Sequence, residues 1–415
     1  MARGAKLDRW FRPAATDVTS RAALLAIASI TMLGSLLSPG AGATASPVAH
    51  TSVHANAIAP PAAPLVLRHS FPGATAVTTL ASAGTVALLA LQLPSGATRL
   101  TLFNAAHNST TIVTLATSAS FFVESETSAG GNFFLQGFDA TTGTTVFEKI
   151  SISGVTTKVH LPLTSSASWS LIPADQPQLY ASSQGRLLAI DPTTLNLSAD
   201  LSASIPHAVG VSSVVQVGSV LYLGGVESFA CCGTQPFAGA LNLTTGVLTT
   251  LTSKISPFPS SGLVGSFGSV AAAGSGVYFG GSLLTSSFGS GFSETTVGGY
   301  LYRYDVLAGT FTNLSSLLPH RTPSIYGLYP VGNGVVTNLA WFAYNTSNSP
   351  PLVERGGTYL VNPSGTVLLN RTNLTGPTFA ALYEQTSESG RYYFVGGTDS
   401  ATGTTEVMAI PISSF

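Results

Sequence analysis

The chain has 415 residues, 45% of them hydrophobic and only 8% charged, with 16 Lys/Arg against 17 Asp/Glu. Soluble proteins average about 25% charged residues, and disorder needs high charge with low hydrophobicity, so this composition excludes a disordered chain. The lack of any basic excess excludes nucleic acid as the expected partner, and a surface of neutral hydroxyl groups, whose charge changes little as pH falls, suits an acidic external medium.

Residues 1–45 read as an export signal. Arg3, Lys6, Arg9, Arg12 and Arg21 outnumber Asp8 and Asp17, an uncharged run follows over 22–37, Ser38-Pro39-Gly40 breaks it, and Ala43-Thr44-Ala45 offers a cleavage site. The run falls short of the roughly 20 residues that span a bilayer. Cleavage and an extracellular or cell-surface location are therefore expected; an uncleaved N-terminal anchor is the alternative, and the only membrane attachment expected. Beyond residue 45 the chain carries 11 Lys/Arg and 15 Asp/Glu, a net charge near −4. Asn-x-Ser/Thr sequons at Asn108, Asn196, Asn242, Asn313, Asn345, Asn370 and Asn373 are expected at the surface.

Residues 46–64 are rich in Ala and Pro and read as a linker. The run Leu65-Val66-Leu67-Arg68-His69-Ser70-Phe71 then stands as one strand with no hairpin partner beside it. From about residue 75, apolar and β-branched runs of 5–9 residues alternate with Gly, Ser, Asn and Asp turns, and no long stretch has helical period. Runs beginning at Thr85, Asn132, Gln178, Val220, Val277, Val335 and Tyr392 recur every 40 to 60 residues, the period of propeller blades. The segments Gly131 to Thr145 and Gly390 to Thr405 match with one insertion, so the second and seventh units are the same unit.

The expected fold is an all-β, seven-bladed β-propeller over 65–415, four strands to a blade, with C-to-D turns at Asp191-Pro192-Thr193-Thr194, Asn242 to Gly246, Asp305 to Gly309 and Asn362-Pro363-Ser364-Gly365. The last unit lacks a fourth strand. The orphan run 65–71 supplies it from the N-terminus and closes the ring, which removes an open edge.

Gly224-Gly225, Gly280-Gly281 and Gly396-Gly397 each end a hydrophobic run, and Tyr302 or Tyr304 follows in one of them. In this the blades at 220–252, 277–313 and 392–411 resemble kelch-type repeats, although Phe311 stands where that family has tryptophan. The turn at Asn242 to Gly246 also resembles quinoprotein-type propeller repeats. The resemblance implies a fold and no particular activity, and the Tyr and His ligands of a copper-radical kelch oxidase have no counterparts.

Ligands of propellers sit where B–C and D–A loops surround the channel. The longest B–C loops expected are 226–239, 283–299 and 344–357, on three successive blades. Cys231-Cys232, the only two cysteines, lie in the first; an adjacent disulfide that stiffens the loop is the leading reading, with free thiols or links to another chain open. His207, His320 and Arg321 fall in D–A connections, where they suit a carboxylate or sulfate, or are simply solvated loop residues. Glu294, Glu354 and Arg355 complete the candidate ligand-binding set. Asp139 and Asp399 recur at one repeat position and read as turn formers. There is no glycine-rich phosphate loop and no zinc spacing, so no cofactor or metal is expected, and no catalytic residue stands out. The expectation is an exported binding module for a glycan, an envelope component or a cell-surface protein, with a polysaccharide-acting enzyme and a structural envelope subunit as alternatives.

Overall fold

The computed structural model describes residues 66–414 apart from 116–120, 140, 143, 164–168, 173–174, 230–232, 256–262, 289–291, 318–323, 342–354, 363–366, 371–374, 377 and 387–390. The expected export signal and linker, and Cys231, Cys232, His320, Arg321 and Glu354, lie outside these residues. The chain opens with β1 (Leu67–Ser70), and blade 1 follows as β2 (Ala76–Ala83), β3 (Val86–Gln92), β4 (Thr98–Asn104) and β5 (Ser109–Val113). Blade 2 comprises β6 (Phe121–Ala129), β7 (Asn132–Asp139), β8 (Thr144–Ser151) and β9 (Thr156–Val159). Blade 3 has β10 (Ser170–Leu171), β12 (Leu179–Ser183), β13 (Arg186–Ile190) and β14 (Leu197–Asp200), while β11 (Asp175–Gln176) pairs in parallel with β6. Blade 4 is β15 (Val209–Val217), β16 (Val220–Phe229), β17 (Gly233–Asn242) and β18 (Leu248–Thr250). Blade 5 is β19 (Leu263–Ala273), β20 (Gly276–Phe288), β21 (Phe292–Asp305) and β22 (Thr310–Asn313). Blade 6 is β23 (Ser324–Val331), β24 (Gly334–Trp341), β25 (Arg355–Val361) and β26 (Val367–Asn370), and blade 7 has β27 (Phe379–Thr386), β28 (Tyr392–Asp399) and β29 (Thr404–Pro411).

These seven blades form the ring of a β-propeller, and the fourth strand of blade 7 is β1. It runs antiparallel to β29, with Leu67 opposite Ala409 and Ser70 opposite Glu406. The Ser70 hydroxyl donates to Glu406 Oε1 at 3.0 Å, and Arg68 Nη1 lies 3.9 Å from Oε2. Phe71, next along the chain, donates its N–H to the Thr405 carbonyl at 2.8 Å and buries its ring between blades 7 and 1. The first and last strands of the described chain thus share one sheet, as the orphan run required.

Strand order explains the composition. Inner strands are packed on both faces by neighbouring blades, so β3 is buried from Val86 to Leu91 and reads as continuous apolar sequence. Outer strands meet solvent, and β5 is exposed over four of its five residues. The core is divided among the seams: Phe133 and Leu135 of blade 2 pack on Leu88 and Leu102 of blade 1, Phe267 and Phe279 of blade 5 on Tyr222 of blade 4, and Phe394 of blade 7 on Leu89 and Phe103 of blade 1. Each buried Phe or Leu contributes about 1.5–3 kcal/mol.

The glycine pairs belong to this seam packing. A Cβ on Gly224 would stand 2.5 Å from Cγ2 of Val270 in the next blade, and one on Gly280 would stand 2.7 Å from Ile325 Cγ2. The second glycine faces inward along its own sheet, where a Cβ on Gly225 would strike the Gly210 carbonyl oxygen and one on Gly281 that of Ser266. Both oxygens lie at a β-bulge in the innermost strand, between Val211 and Ser213 and between Ser266 and Ser269. The same bulge recurs in β2, β6, β23 and β27. Hydroxyls just after it cross the seam: Ser213 Oγ accepts the Val270 N–H at 2.9 Å, and Ser269 Oγ accepts the Leu328 N–H at 2.7 Å.

Blade 2 solves the same problem differently. Gln136 occupies the column of the first glycine, opposite Ser125. The inner strand it faces, β10, is only two residues long. The Gln136 amide fills the gap, donating from Nε2 to the Trp169 carbonyl at 2.8 Å and accepting the Leu171 N–H on Oε1 at 3.0 Å.

Asx turns close the hairpins where they were expected. Asp191 Oδ1 accepts the N–H groups of Thr193 and Thr194, Asn242 Oδ1 those of Thr244 and Thr245, and Asp305 Oδ1 those of Leu307 and Ala308. Asp139 and Asp399 do the same for Thr141 and Ala401, and the Ala401 N–H, the strongest influence on Asp399, holds its carboxyl below the usual range. The turn at 362–365 falls largely outside the described residues.

Substituting Gly225→Ala should cost more than about 2 kcal/mol because only backbone can yield, whereas Gly268→Ala, where a Cβ meets nothing within 4 Å, should change stability by less than about 0.5 kcal/mol. Gln136→Ala strands a buried carbonyl and a buried N–H and should cost about 1–3 kcal/mol. Chemical denaturation of the three variants checks all of these.

Candidate functional site

The long B–C connections of blades 4 and 5 are largely strands rather than loops, and the third, 344–357, falls largely outside the described residues. Blade 4 carries β16 out to Phe229 and brings β17 back from Gly233, in register from Val220 opposite Asn242 to Phe229 opposite Gly233. Blade 5 does the same from Gly276 opposite Asp305 to Phe288 opposite Phe292, with one bulge at Leu283/Leu284. Strand β20 has 13 residues against 8 in β28, and at about 3.4 Å per residue the extra five add about 17 Å. Sequence alone disguised the blade 5 strands in particular, because Ser, Thr and Gly dominate the insert 283–299.

The two extensions are joined. Thr234 of β17 pairs in parallel with Val264 of β19, so blades 4 and 5 merge into one eight-stranded sheet. One cross-strand row runs Ser228, Thr234, Val264, Leu284 and Thr296 through β16, β17, β19, β20 and β21. Pro236, two residues on, has no N–H to lengthen the parallel ladder, and its ring is close-packed on blade 5, 2.7 Å from where a Cβ on Gly265 would stand. Within the platform the Gln235 amide donates to Glu227 Oε2 at 2.7 Å.

The predicted site residues distribute unevenly around this platform. Glu294 lies on β21 opposite Ser286, and Arg355 begins β25 opposite Trp341. His207 is exposed in the connection from blade 3 to blade 4. Its backbone packs on the tight β12–β13 turn, where a Cβ on Gly185 would stand 2.8 Å from His207 Cα, and the Gly185 N–H donates to the Val209 carbonyl at 2.8 Å. Of the predicted site residues, His207 alone has a side chain among those described; Glu294 and Arg355 are placed by strand register only. Among the described residues, no group of three or more His, Cys, Asp or Glu side chains is placed to hold a metal ion.

The strongest electrostatic anomaly among the described carboxyl groups is at a residue that sequence reading passed over. Glu126 of β6 is only 6% exposed, and burial pushes its carboxyl up to about 8, opposed only by the Thr79 hydroxyl of blade 1. Its column, the residue after the inner-strand bulge residue's partner, holds Leu80, Val214, Val270 and Leu328 in blades 1, 4, 5 and 6. Glu384 takes the same column in blade 7. Aligning inner strands, rather than the second strands that carry the glycines, would have exposed this exception.

No protein-family model matches the chain, and no curated protein sequence matches it either. Solved structures do. The β-propeller domain of the Trilobed protease from Pyrococcus furiosus, described as having an open velcro topology, superposes with a TM-score of 0.50 at 8% identity, covering 81% of this chain and 95% of that one. YCF48 bound to D1 peptide gives 0.49 at 10% identity over 83% and 96% of the two chains. A PL25 ulvan lyase bound to an oligosaccharide gives 0.46 at 8% identity over 83% and 94%. At such identities the likeness concerns the propeller fold alone.

Proposed function

We propose that this protein is an exported, surface-associated binding module that engages a glycan, an envelope component or another protein through the platform raised over blades 4 and 5. The observation that carries this reading is the parallel pairing of Thr234 with Val264, which fuses two separate hairpin extensions into one sheet above a rigid ring. Extensions that served only to connect strands would be short, as at Gln184-Gly185; long paired strands present a surface at fixed geometry. Ser, Thr and Gly in the blade 5 extension supply neutral hydrogen-bonding groups, and Phe288 and Phe292 end that hairpin as register partners, a combination suited to sugar rings and to uncharged polypeptide. The export segment and the low charge support an extracellular setting. On the strength of the glycine pairs we place the repeat with kelch-type units as part of the same proposal.

Replacing residues 286–294 by Asn-Gly, so that Thr285 and Thr295 flank a two-residue turn, should leave the melting temperature within a few degrees of the parent. Binding on a glycan array, or to isolated cell-envelope fractions, should be abolished. Unchanged binding by the shortened protein would contradict a site at the outer end of the blade 5 hairpin.

A further inference from the structure

The seam between blades 1 and 2 differs from the seams lined by Leu80, Val214, Val270 and Leu328 at one side chain. Where Leu80, Val214, Val270 and Leu328 bury hydrocarbon, blade 2 buries the Glu126 carboxyl, and neither of its oxygens makes a hydrogen bond of full geometry. The hydroxyl of Thr79, from the inner strand of blade 1, stands at the column from which Ser213 and Ser269 bridge to their neighbours; it is buried there without a hydrogen bond and is near enough to Glu126 to favour its charged form weakly. The elements packed against β6 are β2, β7, β10 and β11. Strands β2 and β10 carry no ionisable side chain. On β7 the only one is Asp139, held in its own turn by the Thr141 N–H at 2.9 Å. On β11 Asp175 stands opposite Ser128, and on β6 itself Glu124 accepts the Gln136 amide at 3.4 Å. Every ionisable group on these strands is acidic, so none offers a counter-charge.

We propose that the seam between blades 1 and 2 is a proton-gated joint, closed while Glu126 carries its proton and loosened when it loses it. A neutral carboxyl tolerates this packing; an ionised one without a cation does not, and the least costly relief is to part β2 from β6 and admit water. The sign follows from linkage. Below the ordinary glutamate range the group is protonated whether the seam is open or closed. From there up to about 8 only the closed seam holds the proton, so opening becomes easier by about tenfold with each pH unit. Above that range the effect levels off. The joint thus favours the closed ring in an acidic medium, in keeping with the low surface charge.

Hydrogen exchange of the full chain, followed by mass spectrometry at pH 5.5 and 8.5 with exchange times scaled for base catalysis, tests the joint. Peptides covering 76–83 and 121–129 should lose protection at the higher pH by at least about tenfold, while 209–217 and 263–273, at the Val270 seam, hold theirs. Glu126→Leu, the side chain blade 1 itself uses in that column, should abolish the pH dependence. Equal protection of both seams at both pH values in the wild-type protein, or an undiminished pH effect in the Leu variant, would overturn the proposal. The wild-type comparison decides the matter even where the variant fails to fold.

Discussion

Everything in this molecule depends on how closely the inner strand of one blade approaches the second strand of the blade before it. The approach leaves no room for a Cβ at Gly224 or Gly280 beneath Val270, Ile325 and Leu328, and it forces a bulge that turns a hydroxyl toward the neighbour. Hydrophobic side chains fill the seams, and backbone N–H groups that the bulge leaves free are taken up across them by Ser213 and Ser269. Packing of this kind is bistable rather than compliant, so the ring either closes fully or parts at a particular seam.

That constraint gives a consistent reason for three features that look unrelated in the sequence. The glycine pairs mark where two backbones and a neighbouring side chain converge. Gln136 marks the place where the facing strand is too short to satisfy its own backbone groups. The run around Arg68 marks the place where the ring must be tied by a strand from the far end of the chain. A platform carried by blades 4 and 5 gains its rigidity from the same source, since the strands that form it are direct continuations of seam-packed strands.

Much of the fold was legible in the sequence because propeller strands are short, apolar and punctuated at regular intervals. The seven second strands could be aligned on their hydrophobic runs, and the missing strand of blade 7 could be matched to residues 65–71 because its absence left a count unbalanced. Turn chemistry was equally readable at Asp191, Asn242 and Asp305, where one side-chain oxygen must accept two N–H groups. The candidate site was far less legible. An insert rich in Ser, Thr and Gly, as at 283–299, looks like a loop, and strand pairing between Thr234 and Val264 depends on two segments of different blades meeting in space. Glu126 escaped notice for a related reason: a carboxylate among Ser and Thr, two residues from Glu124, reads as solvated until the register places it beside Leu135 and under blade 1.

The central claim is that β1 completes the last blade and closes the ring. It is tested most directly by removing residues 1–72 and supplying a synthetic peptide of residues 64–72 in solution. The account predicts a truncated protein with a sharply lowered melting temperature that rises with peptide concentration, as expected for a ligand bound by the folded state alone. A truncated protein that melts like the full chain and ignores the peptide would contradict it.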